Sequence, residues 1–182
     1  MVSLLIGTAV LSGCSEKQEA NESLPTSAAP TTEALPQIGP ADFPVPDEAR
    51  TKDAGGAEAF ARYYIELLQR QQDVPAGEPL RDLGPDCQEC LRIALDFDEA
   101  AAANRRFEGG ELSITGAFGT AVSEDRANLS FLARVEAGAV LEASGEAVQG
   151  TQSAAIERLP SAIALDWSPD DHCWRVSGLS FG

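Results

Sequence analysis

At Gly109-Gly110 the chain changes the period of its apolar residues, and that change limits what it can fold into. Before it, apolar residues recur at steps of three and four, the spacing of helices that bury one face. After it, Leu112, Ile114 and Phe118 alternate with polar residues, and so do Ala127, Leu129, Phe131, Ala133 and Val135. That is the spacing of strands with one covered face. Ile163, Leu165 and Trp167 form a third such run. Trp174 and Val176 open a fourth, whose phase slips so that Leu179 and Phe181 take the other parity; the slip predicts a β-bulge at Gly178. The stretch from Val140 to Gly150 reads equally as loop or as a further strand. Helices first, then strands with no helix between them, predict an α+β domain. Its N-terminal helices cover one face of a curved antiparallel sheet.

Asp53 ahead of Gly55-Gly56, followed by Ala57, Phe60, Ala61, Tyr64, Leu67 and Leu68, predicts a helix to about Gln72. Asp53 or Gly55 stands near its cap, and Tyr63 and Ile65 flank the stripe, so this helix is covered on more than one side. Pro75, Gly77 and Pro79 interrupt the pattern, and Leu80 to Leu83 reads as one short helical turn. A second long helix is predicted from Asp86, with Asp86 and Glu89 forming a capping box. Its buried face is Cys90, Ile93, Ala94, Phe97, Ala101 and Asn104, and Gly109-Gly110 ends it.

The N-terminus carries an address. Val2 to Val10 is mostly apolar but too short to span a bilayer, which needs about 20 residues; it has the length of a signal-peptide h-region. It ends in Leu11-Ser12-Gly13-Cys14, which resembles the lipobox of bacterial lipoprotein precursors. The resemblance implies cleavage before Cys14 and a thioether from its thiol to a diacylglyceryl group. Residues 1–13 are then the signal peptide, and the mature protein is held outside the cytoplasmic membrane by the lipid on Cys14. No Lys or Arg lies between Met1 and Val10, so the translation start is expected upstream.

From Ser15 to about Pro46 stand Pro25, Pro30, Pro36, Pro40, Pro44 and Pro46, six of the chain's 11 prolines, among Ser, Thr, Ala and Glu. Such a segment buries too little apolar surface to offset its ordering entropy. Fully extended it reaches about 100 Å at ~3.1 Å per residue, which suits a tether. The expected division is a lipidated tether over residues 14–42 and a domain over 43–182. Ala41 to Pro46 is less polar and is expected to lie on the domain as an arm.

The charge is −16, from 13 basic and 29 acidic side chains. A surface so acidic excludes nucleic acid, which needs a basic stripe. Of the basic residues only Lys17 and Lys52 are lysine, which with the many alanines suggests a GC-rich genome.

The element order resembles the cone fold shared by nuclear transport factor 2 and the SnoaL-type polyketide cyclases. The runs from Gly56 to Tyr64, from Pro85 to Cys90 and from His172 to Val176 carry a closer resemblance. With the lipobox and tether, they resemble an uncharacterised actinobacterial lipoprotein family, domain of unknown function 6318. That family implies no chemistry.

Cys87 and Cys90 form a C-x-x-C at a helix start, where the helix dipole lowers a thiol's pKa. Thioredoxin-like oxidoreductases place this motif after a strand, whereas here it follows a helical turn and a break. Outside the cytoplasm a structural disulfide is the expectation. A zinc site from Cys87, Cys90, His172 and Cys173 is disfavoured, because adjacent His172 and Cys173 point to opposite faces of a strand. Cys173 is either a buried free thiol beside Trp174 or replaces one member of the pair. His172, in Ser168-Pro169-Asp170-Asp171-His172, reads as part of a solvated turn. Asp96 and Asp98 are acid–base candidates by residue type only, and Trp167, Trp174, Tyr63 and Tyr64 read as packing. No catalytic residue, metal or cofactor is assigned. The expected function is a non-enzymatic binding or interaction module for a small apolar ligand or an envelope protein. The alternatives are a cyclase or isomerase of the SnoaL type and an extracytoplasmic thiol–disulfide protein.

Overall fold

The structure, a computed structural model, describes residues 35–182; Cys14, the expected signal peptide and most of the expected tether lie outside the described residues. After a 3-10 turn at Asp47–Arg50 come helices α1 (Ala54–Asp73), α2 (Glu78–Leu83) and α3 (Gln88–Ala102). Strands follow: β1 (Arg106–Gly109), β2 (Leu112–Ser123), β3 (Arg126–Val135), β4 (Gly138–Leu141), β5 (Ile156–Ser168) and β6 (Cys173–Phe181). Strands β2-β3-β5-β6 form an antiparallel sheet in that order, and β1 pairs with β4 beside it. Three helices packed on a curved sheet give the expected α+β architecture. Among the described residues no helix is long and apolar enough to cross a membrane.

Helix α1 starts as its sequence dictates. Asp53 is extended and accepts the Gly56 N–H at 2.8 Å, filling one of the donors a helix start leaves open. Phe60, Tyr64 and Leu67 sink into the core, and Tyr63 and Ile65 are buried on its flanks.

Helix α3 departs from expectation at both ends. Its cap is Cys87 rather than Asp86: the Cys87 sulfur accepts the Cys90 N–H at 3.1 Å. Glu89 forks onto Arg92 at 2.6 and 3.0 Å instead of reaching back, and Asp86 is exposed. The helix ends at Ala102, where Asn104 takes a left-handed conformation (φ 52°) and the Arg105 N–H returns to Ala100 O at 2.8 Å. Ala101 and Asn104 are therefore exposed, and Ala100 takes the buried place. Gly109-Gly110 ends a strand, not a helix. Gly109 (φ 67°) passes so close to β4 that a Cβ on it would lie 2.1 Å from Ala137 O.

In the main sheet, Ala164 faces Gly178 while Leu165 faces Val176, so Ser177 is the extra residue of the bulge expected there. Strand β2 carries a larger irregularity. Thr115 pairs with Leu132 and Gly119 with Ser130, leaving Gly116, Ala117 and Phe118 opposite Phe131 alone. The hollow of the sheet is filled: Trp174, Tyr64, Phe60, Leu67 and Leu80 have less than 2% of their surface exposed.

Candidate ligand groove

The segment before α1 is an arm packed on the domain. Phe43 stacks on Tyr63 with ring centres 5.1 Å apart, and the Tyr63 hydroxyl donates to Phe43 O at 2.9 Å. Val45 N–H returns to Ile38 O at 2.9 Å, and Arg70 holds Asp42 at 2.7 Å. Arg50 donates to Pro36 O (2.8 Å), Asp171 O (2.6 Å) and His172 O (3.3 Å), tying the start of the arm to the β5–β6 turn. Ile38 packs against the core, so packing begins upstream of the boundary drawn at 43. A single large apolar residue among prolines gives no periodic signal.

Along α1, Glu58, Arg62 and Gln69 reach towards β2. Thr120 donates to Glu58 at 2.6 Å, the Arg62 guanidinium sits 4.8 Å from the Phe118 ring centre, and Gln69 Nε2 donates to the Leu112 carbonyl. Between helix, arm and strand a groove of about 450 Å³ stays open. Its apolar floor is Phe43, Ile65, Leu112 and Ile114; Arg62, Glu66, Gln69 and Ser113 supply polar groups. Past Phe43, Arg62 and Glu66 it continues into a hollow of about 390 Å³ bordered by Pro44, Pro46 and Glu48. Among the described residues neither Arg62 nor Glu66 has an ion-pair partner within 4.0 Å. A larger trough, about 550 Å³, lies on the outer face of the sheet, but Gly119, Ala121, Ser130, Ala162, Ala164 and Gly178 offer it no charge and little shape. Selective recognition needs directional groups beside apolar ones, and the groove has both.

No family model matches the chain, and no curated protein matches it. Among solved structures, the intermembrane space region of the chloroplast protein ARC6 superposes with a TM-score of 0.51 at 12% identity, covering 72% of this chain and 97% of that one. That likeness is one of fold. A designed NTF2-like protein superposes more loosely, with a TM-score of 0.40 at 13% identity, covering 68% and 96%.

The residues singled out by sequence lie elsewhere. Cys87 and Cys90 are joined in a disulfide (S–S 2.06 Å, Cα–Cα 5.1 Å) with no exposed surface on either residue. Gly84 lies over it so closely that a Cβ there would stand 3.2 Å from the Cys90 sulfur. Joined to each other, these sulfurs offer a metal no thiolate, and burial keeps an attacking thiolate away. Cys173 is free and buried, and burial pushes its thiol up to about 11. His172 is exposed in the turn after β5, at φ 47°.

Asp96 pairs with Arg92 at 2.8 Å on the solvent side of α3. Partial desolvation pushes the Asp98 carboxyl up, but the Gly77 N–H and the Arg81 guanidinium bring it below its ordinary value. Arginine partners likewise hold Asp42, Glu89 and Asp171 low. Burial raises the Tyr63 and Tyr64 hydroxyls. Trp167 meets Trp174 edge to face at 5.2 Å, as packing.

Proposed function

We propose that the chain is a lipoprotein anchored through Cys14 outside the cytoplasmic membrane, whose domain is a binding module that takes its ligand in the groove between α1, β2 and the arm. The observation that carries this reading is the pairing of an apolar floor with Arg62 and Glu66, neither engaged in an ion pair, in a groove open to solvent. The hollow of the sheet, where a cyclase or isomerase would hold its substrate, is taken up by Trp174, Tyr64 and Phe60. Acid–base catalysis also wants a group poised near neutral pH. Tyr63, Tyr64 and Cys173 are held neutral by burial, and the shifted carboxylates are held ionised by arginines at the surface. The buried Cys87–Cys90 bond supports a structural role over thiol exchange, and its persistence suits an oxidising compartment.

Two experiments test this. Cys14→Ala should move the expressed precursor from the detergent phase to the aqueous phase in phase partitioning; a variant that still enters detergent removes the lipid anchor from the reading. Thermal-shift screening should use peptidoglycan fragments, detergent-dispersed phospholipid, short peptides and small organic acids. Ligands that raise the melting temperature of the wild type should fail to raise that of Glu66→Trp, whose indole fills the groove. Ligands that act equally on both would place binding elsewhere.

A further inference from the structure

We infer that the groove's occupant is an extended peptide segment that pairs with the free edge of β2 and carries basic side chains on either side of an apolar one. This deepens the groove reading proposed above and rests on it. Strand β2 has β3 on one side only. The Leu112 carbonyl points away from β3, because Gln69 of α1 donates to it. Alternate residues of a strand turn their N–H and C=O groups to the same side, so those of Ile114 also face the groove, while those of Ser113 and Thr115 face β3. The ladder with β3 fits, since Ser113 pairs with Arg134 and Thr115 with Leu132. The irregularity that follows Thr115 ends the usable edge. Gln69 already fills the Leu112 carbonyl, so pairing falls to the Leu112 N–H and to the N–H and C=O of Ile114, which span about 7 Å at ~3.4 Å per residue and suit a segment of about three residues.

Two further features set the chemistry of that segment. An added strand turns alternate side chains to opposite faces, and the inward one meets Ile65, Leu112, Ile114 and Phe43. On the rim, Glu66 and, in the adjoining hollow, Glu48 are carboxylates outside any ion pair among the described residues. Arg62 is the one cation lining the groove, and its guanidinium rests on the Phe118 ring. The chain as a whole carries −16, so a basic segment is drawn in at long range and met by carboxylates on arrival.

The test is an amide NMR titration of the full chain with an acetylated, amidated hexapeptide of alternating lysine and valine. The amides of Ile65, Glu66, Ser113 and Ile114 should shift, and exchange at Ile114 should slow. Methylating the backbone nitrogens of one alternate set of peptide residues should weaken binding at least about tenfold, while methylating the other set should not, because only one edge of the peptide faces β2. Glu66→Lys should weaken the lysine peptide and strengthen its glutamate counterpart. Equal tolerance of both methylated sets would overturn strand pairing, and tighter binding of the glutamate peptide would overturn the basic class; both leave the groove as the site. Silence towards every peptide, with the Glu66→Trp-sensitive ligands of the thermal screen still binding, would overturn the peptide and keep the groove. If those ligands fail too, both readings fall.

Discussion

The Trp174 indole N–H donates to the Thr51 carbonyl at 2.9 Å across 123 residues of sequence. It joins the start of the last strand to the loop that enters α1. The same carbonyl lies directly over Gly56, where a Cβ would stand 2.0 Å from it. Gly56→Ala must therefore push Thr51 away from Trp174, and should destabilise the domain by about 1–3 kcal/mol in urea denaturation. Trp174→Phe, which loses a partly buried hydrogen bond and thins a fully buried side chain, should cost about 1–3 kcal/mol. A Gly56→Ala protein with an unchanged midpoint would mean that Thr51 moves without cost and that the bond is not a constraint.

Replacing both Cys87 and Cys90 by Ser should lower stability by about 1–3 kcal/mol, the lower part of the usual range, because the closed loop is so short. Fold and groove binding should persist. In the native, non-reduced protein, dithiothreitol should act on this bond only as fast as the domain opens, since both sulfurs are buried. Mass spectrometry after alkylation in denaturant should find Cys173 modified and the 87–90 bridge intact. Insulin reduction at rates near those of an oxidoreductase would contradict the burial.

Stability should fall at both extremes of pH, for different groups. Burial raises the Cys173 thiol from 9.0 to about 11, so the unfolded chain loses its proton first. Above pH 9 folding then weakens as pH rises, by up to about 2–3 kcal/mol towards pH 11. The Tyr63 and Tyr64 hydroxyls, also raised, extend the loss upward from pH 10. Cys173→Ala should remove the onset near 9 and keep the later part. On the acid side, Arg175 and Ser168 hold the Asp171 carboxyl below 3.8. Its contribution is full above that value and fades as pH drops through the folded pKa. Asp171→Asn should flatten that limb of a pH–melting curve.

Truncation separates tether from arm. A chain starting at Leu35 should melt within about a degree of one that keeps residues 15–34, since Leu24 is the one large apolar side chain among them. Removing residues 35–40 as well takes away Ile38, the Val45–Ile38 hydrogen bond and the Pro36 carbonyl held by Arg50, and should lower the melting temperature by several degrees. Equal melting of the two truncated chains would restore the domain boundary to 43.

Parts of this architecture were legible in the residues. The cap at Asp53 or Gly55, which falls at Asp53, the stripe of α1, the alternation of β3 and β5 and the slip at Gly178 are local signals, and the architecture kept each of them. The start of α3 was misread because Asp86 offers the better cap by residue type, while the disulfide holds the Cys87 sulfur where the first N–H groups need an acceptor. Its end was misread because apolar and polar residues from Arg105 to Gly109 fit either period, and only the pairing with β4 decides. The groove was not legible at all. Arg62, Glu66 and Gln69 look like the solvated face of a helix, and Leu112 and Ile114 look like an ordinary half-buried strand. A concave site exists only when the arm, α1 and the edge of β2 meet.

Arg50 also gives the domain a mechanical character. A pull on the chain at Leu35 reaches Pro36 first, and Arg50 passes it to the Asp171 and His172 carbonyls at the β5–β6 turn. The Arg70–Asp42 pair and the Tyr63–Phe43 bond follow within a few residues, so several attachments of the arm stand between the pull and the first turn of α1. A domain pulled from this end would keep its groove intact under forces that strip a less firmly fastened arm. Arg50→Ala should lower the force at which single-molecule stretching from the N-terminus first lengthens the chain.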